Sequence, residues 1–324
     1  MINSLILGNK TFPVNIIQGP LAGISCAPFR LLTWQQSHPA FTCSEMISCK
    51  TLIHQPKLSH HRYVMKYQQE GPVCYQLSGS EPQEIAVATK IVTDYGADLI
   101  DLNCGCPVNK IRNKGAGSRL LTDASKLYQL ITAMKKNTTV PVSIKIRVEN
   151  NSKEKFNEQI VKVVQDAGVD FLIVHGRHWT EHYETPCNHD QIHYFVEQLS
   201  IPVIGNGDIA CINSLKKMFA TGCAGVMISR AGVGQPWLIG KLISEINNDT
   251  YSMPSSEQIK DLFLQHVQYL SALLHSEKFA ILQARKFAKY YARSLGNRAE
   301  FCAKINVCDN LPDLKLICEA FFKQ

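Results

Sequence analysis

The chain has 324 residues, 45% of them hydrophobic and 19% charged, which is the composition of an ordinary globular protein and enough chain for one large buried core plus a smaller attachment. Its apolar runs stop well short of the ~18 residues needed to span a bilayer, so a membrane span is not expected. The formal net charge of +7 suits a polyanionic partner, although charge says nothing about fold.

From about residue 13 to 245, short apolar runs rich in Val and Ile alternate with longer amphipathic stretches, the rhythm of strand followed by helix. In chain order, strand 13–19 precedes helix 27–37, strand 41–44 precedes helix 54–67, strand 73–77 precedes helix 82–95, and strand 99–103 precedes helix 123–136. Strand 142–147 then precedes helix 154–167, strand 171–175 helix 189–199, strand 203–206 helix 212–221, and strand 225–229 helix 236–246. Pro82 and Pro236 suit a first helical turn, where the missing N–H costs nothing, and Gly96 and Gly168 suit helix ends. Eight strands close a parallel barrel, whereas a doubly wound open sheet would give the same alternation. The polar residues favour the barrel: Pro20, Glu45, Gln76, Asn103 with Cys106, Lys145, His175, Asn206 with Asp208, and Arg230 all fall at or just beyond strand ends, the rim on which barrel enzymes assemble active sites. The expected fold is therefore α/β, a (β/α)8 TIM barrel over residues 1–247 followed by a small C-terminal all-helical domain over 257–324. The polar stretch 248–256 connects them. One helix of that domain is expected over 278–295, where Phe279, Leu282, Phe287, Tyr290, Tyr291 and Leu295 recur at helical spacing and Arg285, Lys289 and Arg293 form a basic row.

Twelve cysteines are scattered through this long chain, and Met1-Ile2-Asn3-Ser4-Leu5 lacks the basic and apolar regions of a signal peptide, so a reducing cytoplasm is expected rather than a disulfide scaffold. No pair of C-x-x-C knuckles is present, and no metal site is expected. Among the cysteines, Cys106 stands apart in Asn103-Cys104-Gly105-Cys106-Pro107. Pro107 ends the strand ladder and Gly105 permits an unusual backbone angle, so Cys106 should project from a shaped loop, while Cys104 is the better core filler. Lys110, Arg112, Lys114 and Arg119 follow, with Gly115-Ala116-Gly117 among them; these charges favour thiolate and can also bind nucleic-acid phosphates. Buried filler and metal ligand are the bland readings of this cysteine.

The stretches Gly205-Asn206-Gly207-Asp208-Ile209 and Ser229-Arg230-Ala231-Gly232 place glycines and backbone N–H groups after the seventh and eighth strands, where barrels bind phosphate; simple chain turns are the alternative. Lys145 and Arg147 are two apart on one strand and point the same way. A buried lysine needs a role or a partner. Here it can form a Schiff base, hold an anionic ring, or pair structurally with Glu45 or Asp101. His175 is either a satisfied core histidine or a member of the rim site.

Assembled, these residues resemble the flavin-dependent tRNA-dihydrouridine synthases, from about Gln18 to Trp237. The anchors are Gly19-Pro20-Leu21-Ala22-Gly23, Ser44-Glu45-Met46, Gln76-Leu77-Ser78-Gly79, Asn103 to Pro107, Lys145-Ile146-Arg147, His175-Gly176-Arg177, Gly205 to Ile209, and Arg230 to Trp237. The resemblance implies FMN in the barrel mouth, with Pro20, Leu21 and Ala22 along the ring, Gln76 and Lys145 on its polar edge, His175 near it, and Asn206, Gly207, Asp208, Ser229 and Arg230 at the phosphate. It also implies NADPH, or NADH, as reductant and reduction of a uridine C5–C6 bond in tRNA, with hydride from flavin N5 to C6 and a proton from Cys106 to C5. Asn103, Arg177, Lys110, Arg112, Arg285, Lys289 and Arg293 are the expected tRNA and uracil contacts. The expected protein is a cytoplasmic monomer of bacterial type with no obligate protein partner. Gln18, Ser25-Cys26, Glu149, His178 and Ser229 depart from the family pattern.

Overall fold

The computed structural model describes residues 1–55, 57, 60–149 and 154–323. Before the first expected strand the chain already folds: β1 (Leu5–Leu7) and β2 (Lys10–Phe12) pair antiparallel, Leu5 opposite Phe12, around Gly8 at φ +54°. Leu5, Leu7 and Phe12 are buried against Ile17, Phe41, Phe171, Ile204 and Met227, so the hairpin plugs the floor of the structure above it. Each strand is only three residues long, too short for an alternation to be read with force.

That structure is a closed barrel of eight parallel strands in the order β10-β3-β4-β5-β6-β7-β8-β9. They are β3 (Ile16–Gln18), β4 (Thr42–Ser48), β5 (Val73–Ser78), β6 (Leu99–Cys104), β7 (Val142–Arg147), β8 (Phe171–His175), β9 (Val203–Asn206) and β10 (Gly225–Ile228). Alternation explains the layering: Leu172 and Val174 join the outer layer under the helices, and Phe171 and Ile173 fill the barrel. Because both faces of a parallel strand are covered, the strands read as nearly continuous apolar runs. The inner face turns polar mainly toward the carboxyl ends, with Ser143 an exception near the start of β7.

Several expected boundaries move. The second barrel strand runs on through Glu45 and Met46 to Ser48, with an irregular register between Cys43 and Met46. The helix expected over 54–67 is instead Cys49–His54, capped by Ser48, with a separate turn at His60–Val64; positions 56, 58 and 59 lie outside the described residues. The helix expected to start at Pro236 begins at Leu238.

After Asn247 no helix or strand forms until Ser256, where Ser255 and Gln258 close a reciprocal capping box. Helices Ser256–Leu274, Glu277–Tyr291, Arg298–Val307 and Leu311–Phe322 pack around Phe263, Phe287, Phe301 and Leu314, a cluster continuous with Leu32, Val233 and Trp237 of the barrel. The helix expected over 278–295 stops at Tyr291. Two of its apolar positions face outward, Phe279 at 60% exposure and Leu282 at 38%. No helix among the described residues is long and apolar enough to cross a membrane.

His266 sits where the helical domain meets the barrel, packed on Phe287 with Phe29 of the helix Ala27–Ser37 nearby. Its Nδ1 meets the Tyr291 hydroxyl at 3.2 Å, and burial pushes its pKa down from 6.5 to about 3. A folded pKa below the unfolded one contributes stability above the unfolded pKa that is lost as pH falls between the two. Lowering the pH to about 5 should therefore cost roughly 2 kcal/mol, and His266→Gln should abolish that loss. Urea unfolding of both proteins at pH 7 and pH 5 measures the difference; equal losses would clear His266 as the cause.

Candidate active site

A cavity of about 720 Å³ opens at the carboxyl ends of the barrel strands, within the range of ligand sites at about 300–1,000 Å³. Pro20, Leu21, Ala22, Met46 and Met227 give it an apolar side, and Asn206 to Ala210 with Ser229 to Ala231 form another wall. Between them stand Gln76, Asn103, Cys106, Lys145, Arg147, His175 and Arg177. The structure thus brings together all of the barrel residues expected at the site except Lys110 and Arg112, which lie on the short helix Asn109–Arg112 outside the cavity lining.

Register explains the polar centre. Gln76 lies opposite Asp101, and Asp101 opposite Ser143. Ser143 Oγ donates to Asp101 at 2.7 Å, Gln76 Nε2 donates to the other Asp101 oxygen at 2.8 Å, and Asn103 Nδ2 donates to Gln76 Oε1 at 2.8 Å. Asn103 Oδ1 then accepts the backbone N–H groups of Gly105 at 3.2 Å and Cys106 at 2.9 Å. On the far side, the Cys106 carbonyl accepts from Ser118 N at 3.1 Å and Ser118 Oγ at 3.0 Å. Gly117, at φ +62°, has to be glycine, because a Cβ there would lie 2.7 Å from the Cys106 carbonyl oxygen. The Cys106 loop is therefore held by its backbone, and the thiol is left to face the cavity.

Lys145 stands opposite Asn103 in register. Neither expected structural partner takes it: Glu45 pairs with Arg62 at 3.5 Å and accepts the Gly23 N–H, while Asp101 is occupied as above. Among the described residues no carboxylate lies within 4 Å of Lys145 Nζ, and burial, with Arg147 nearby, pushes its pKa down to about 8. Asp101 moves the other way, pushed up to about 7 by burial.

Arg177, expected as a substrate contact, lines the cavity. It is 1% exposed and committed to the protein: Nη2 pairs with Asp208 at 2.6 Å, Nε donates to the Thr185 carbonyl at 2.6 Å, and Nη1 meets His175 Nε2 at 3.2 Å. An arginine only donates, so His175 accepts at Nε2 and carries its proton on Nδ1. Burial and the surrounding cations hold that imidazole far below its usual pKa, hence neutral. Asp208, at φ +53°, also lies 3.7 Å from Arg230. Its carboxylate is neutralised by two arginines, so it does not repel an anion in this wall. Arg230 stacks on Tyr183 and Arg112 on Trp179, at 3.6 and 3.3 Å from the ring centres. Both aromatic residues belong to the loop between β8 and the helix His189–Gln198.

The departures from the family pattern are accommodated. Glu149 and His178 face each other at 3.4 Å. Ser25 Oγ accepts the Leu21 N–H at 2.9 Å, shaping the apolar lip. Gln18 Nε2 donates to the carbonyls of Gly19 and Ile228, and Ser229 Oγ lies 3.3 Å from Asn206 Nδ2.

The basic row of the helical domain needs correction. Arg293 lies beyond the helix, in a short turn Ala292–Ser294, and its guanidinium donates to the Val233 carbonyl. Arg285 is turned to the Cys308 carbonyl at 3.0 Å and to Asp309 at 3.3 Å. Lys289 remains exposed beside the Tyr290 ring. Lys286, which sequence spacing passed over, reaches the barrel mouth: its Nζ lies 3.7 Å from where a side chain at Gly23 would begin. Ser143 and Tyr183 were also missed, and Asp101, named only as an alternative partner of Lys145, could have been placed at the site, two residues before Asn103 on the same strand face.

A closed eight-stranded barrel with a cationic cavity at its carboxyl rim defines a (β/α)8-barrel enzyme. The family model described as Dihydrouridine synthase (Dus) matches residues 17–324. The chain is 32% identical over 313 residues to tRNA-dihydrouridine synthase B of Xanthomonas axonopodis pv. citri, covering 96% of this chain and 93% of that protein. It is 32% identical over 318 residues to the protein of the same name from Pasteurella multocida, covering 98% and 95%. A probable tRNA-dihydrouridine synthase of Rickettsia bellii is 31% identical over 306 residues, covering 94% and 93%. The chain belongs to the dihydrouridine synthase family and is an oxidoreductase of that family.

Proposed function

We propose that this chain is a tRNA-dihydrouridine synthase that uses FMN as cofactor and NADPH as reductant to saturate the C5–C6 bond of a uridine in tRNA. Lys145 carries this reading: a cation deep in a 720 Å³ cavity without a counter-charge within 4 Å among the described residues calls for an anionic ligand. The cavity fits FMN in kind. Pro20, Leu21 and Ala22 would lie along the flat ring, Gln76 and Lys145 would meet its polar edge with His175 close by, and Asn206, Gly207, Asp208, Ser229 and Arg230 would hold the phosphate. When bound, the flavin supplies the hydride.

The residues of the chain do the rest. Hydride addition at C6 builds enolate charge, so C5 needs an acid, and the Cys106 thiol on its braced loop is the group placed to give that proton. The amide polarity fixed by the backbone turns the free N–H of Asn103, beside Lys145, into a donor for the carbonyl-rich edge of a uracil. Arg177 positions His175 and the β8 loop. The target base must leave its stack to enter this cavity. Residues 1–247 would carry the cofactor and the chemistry. Residues 257–324, with Lys286 and Lys289 outermost and Arg285 and Arg293 behind them, would grip the tRNA along with Lys110 and Arg112. Such a substrate sets the enzyme to work in the cytoplasm.

The test uses purified protein, NADPH and tRNA from a strain lacking the gene, with dihydrouridine read by mass spectrometry. A yellow protein that forms dihydrouridine in folded tRNA and not in free uridine is expected. Comparable turnover of free uridine, or a colourless protein that binds tRNA without product, would overturn the reading.

A further inference from the structure

We propose that Asp101 is a positioning residue that acts on Cys106 through an oriented chain of two amides, Gln76 and Asn103. The chain has one permitted direction. At one end Asn103 Oδ1 meets two backbone N–H donors, of Gly105 and Cys106, so that atom must be the oxygen and Nδ2 must face Gln76. At the other end Asp101 presents an oxygen to Gln76, so Gln76 must turn its nitrogen there and its oxygen to Asn103. Both ends impose the same polarity, and an amide flip at either middle residue would set donor against donor.

The direction survives titration of the carboxyl. Burial pushes the Asp101 carboxyl up to about 7, with Lys145 and the Cys74 and Cys104 thiols within its electrostatic reach. When protonated, it can donate to Ser143 Oγ, which lies 2.7 Å from its other oxygen and can rotate to accept. The oxygen toward Gln76 stays an acceptor in both states. What Asp101 contributes is therefore a fixed acceptor, and its charge is secondary.

The inference deepens the proposed function, since that reading gives the Cys106 loop its task. Asp101→Asn can keep an oxygen toward Gln76 while its nitrogen turns to Ser143. Asp101→Leu cannot, and Asp101→Ala serves in its place should the leucine variant not fold. The readouts are kcat and KM for tRNA, the visible spectrum of the bound flavin, and the alkylation rate of Cys106 by iodoacetamide, resolved on its own peptide. We expect Asp101→Leu to lower kcat by about tenfold or more, the scale on which a slightly misplaced group costs rate, with KM within about twofold. Cys106 alkylation should change several-fold and the flavin spectrum should shift, whereas Asp101→Asn should stay close to the parent in all four. Equal impairment in the Asn and Leu variants would make charge the agent and overturn the proposal, as would a Leu or Ala variant indistinguishable from the parent. If the parent forms no dihydrouridine, the proposed function fails by itself; the alkylation comparison needs neither tRNA nor turnover and still decides the role of Asp101.

Discussion

Cys106→Ala is expected to retain bound flavin and tRNA affinity while losing about 10²–10⁴-fold in turnover, the usual contribution of a positioned proton donor. The expectation rests on how the loop is built. Asn103 holds the Gly105 and Cys106 N–H groups, Ser118 holds the Cys106 carbonyl, and among the described residues no hydrogen bond involves the sulfur, so truncation removes the acid without loosening its frame. Flavin reduction by NADPH needs no proton at uridine C5 and should proceed in the variant. Single-turnover oxidation of the reduced enzyme by tRNA should then be slow in proportion to the steady-state loss. Unimpaired oxidation by tRNA would remove Cys106 as the donor.

Lys145→Met should give a protein that is more stable and less active. At neutral pH the folded state keeps this ammonium charged although burial has moved its pKa from 10.5 to about 8. A depressed folded pKa means the cost is absent above pH 10.5 and fully present below about pH 8. Methionine fills similar space without the charge, so the flavin-free protein should gain up to about 3 kcal/mol at pH 7. The same change removes the cation expected to stabilise an anionic reduced flavin, and turnover should fall by about 10²-fold or more, on the scale of losing one electrostatic group. Thermal melts of the flavin-free proteins and stopped-flow reduction by NADPH measure the two arms. A variant that is both less stable and fully active would show that Lys145 is structural.

The barrel was legible because its strands have both faces buried and become polar mainly toward their carboxyl ends, so Gln76, Asn103, Lys145, His175 and Asn206 betray the rim. Other features were hidden for physical reasons. The hairpin of Leu5–Leu7 and Lys10–Phe12 is too short for its alternation to stand out. Four-residue spacing placed Arg285 and Lys289 together, but spacing cannot tell which face of a helix packs, and Arg285 turned inward to Cys308 while Lys286 came out beside Gly23. Glu149 and His178 look like independent departures until β7 and β8 bring them within 3.4 Å. Asp101, named only as an alternative partner of Lys145, was the most recoverable site residue, since period-two alternation alone puts it on the face of Asn103.

The amino-terminal hairpin bears on traffic through the enzyme. With Leu5, Leu7 and Phe12 wedged into the barrel, its amino-terminal end is filled, and the cavity has its doorway at the strands' carboxyl ends. On the proposed reading, nicotinamide and uridine must then reach the same buried ring through that doorway, one after the other. On that reading the stopper at the far end would make the two half-reactions alternate.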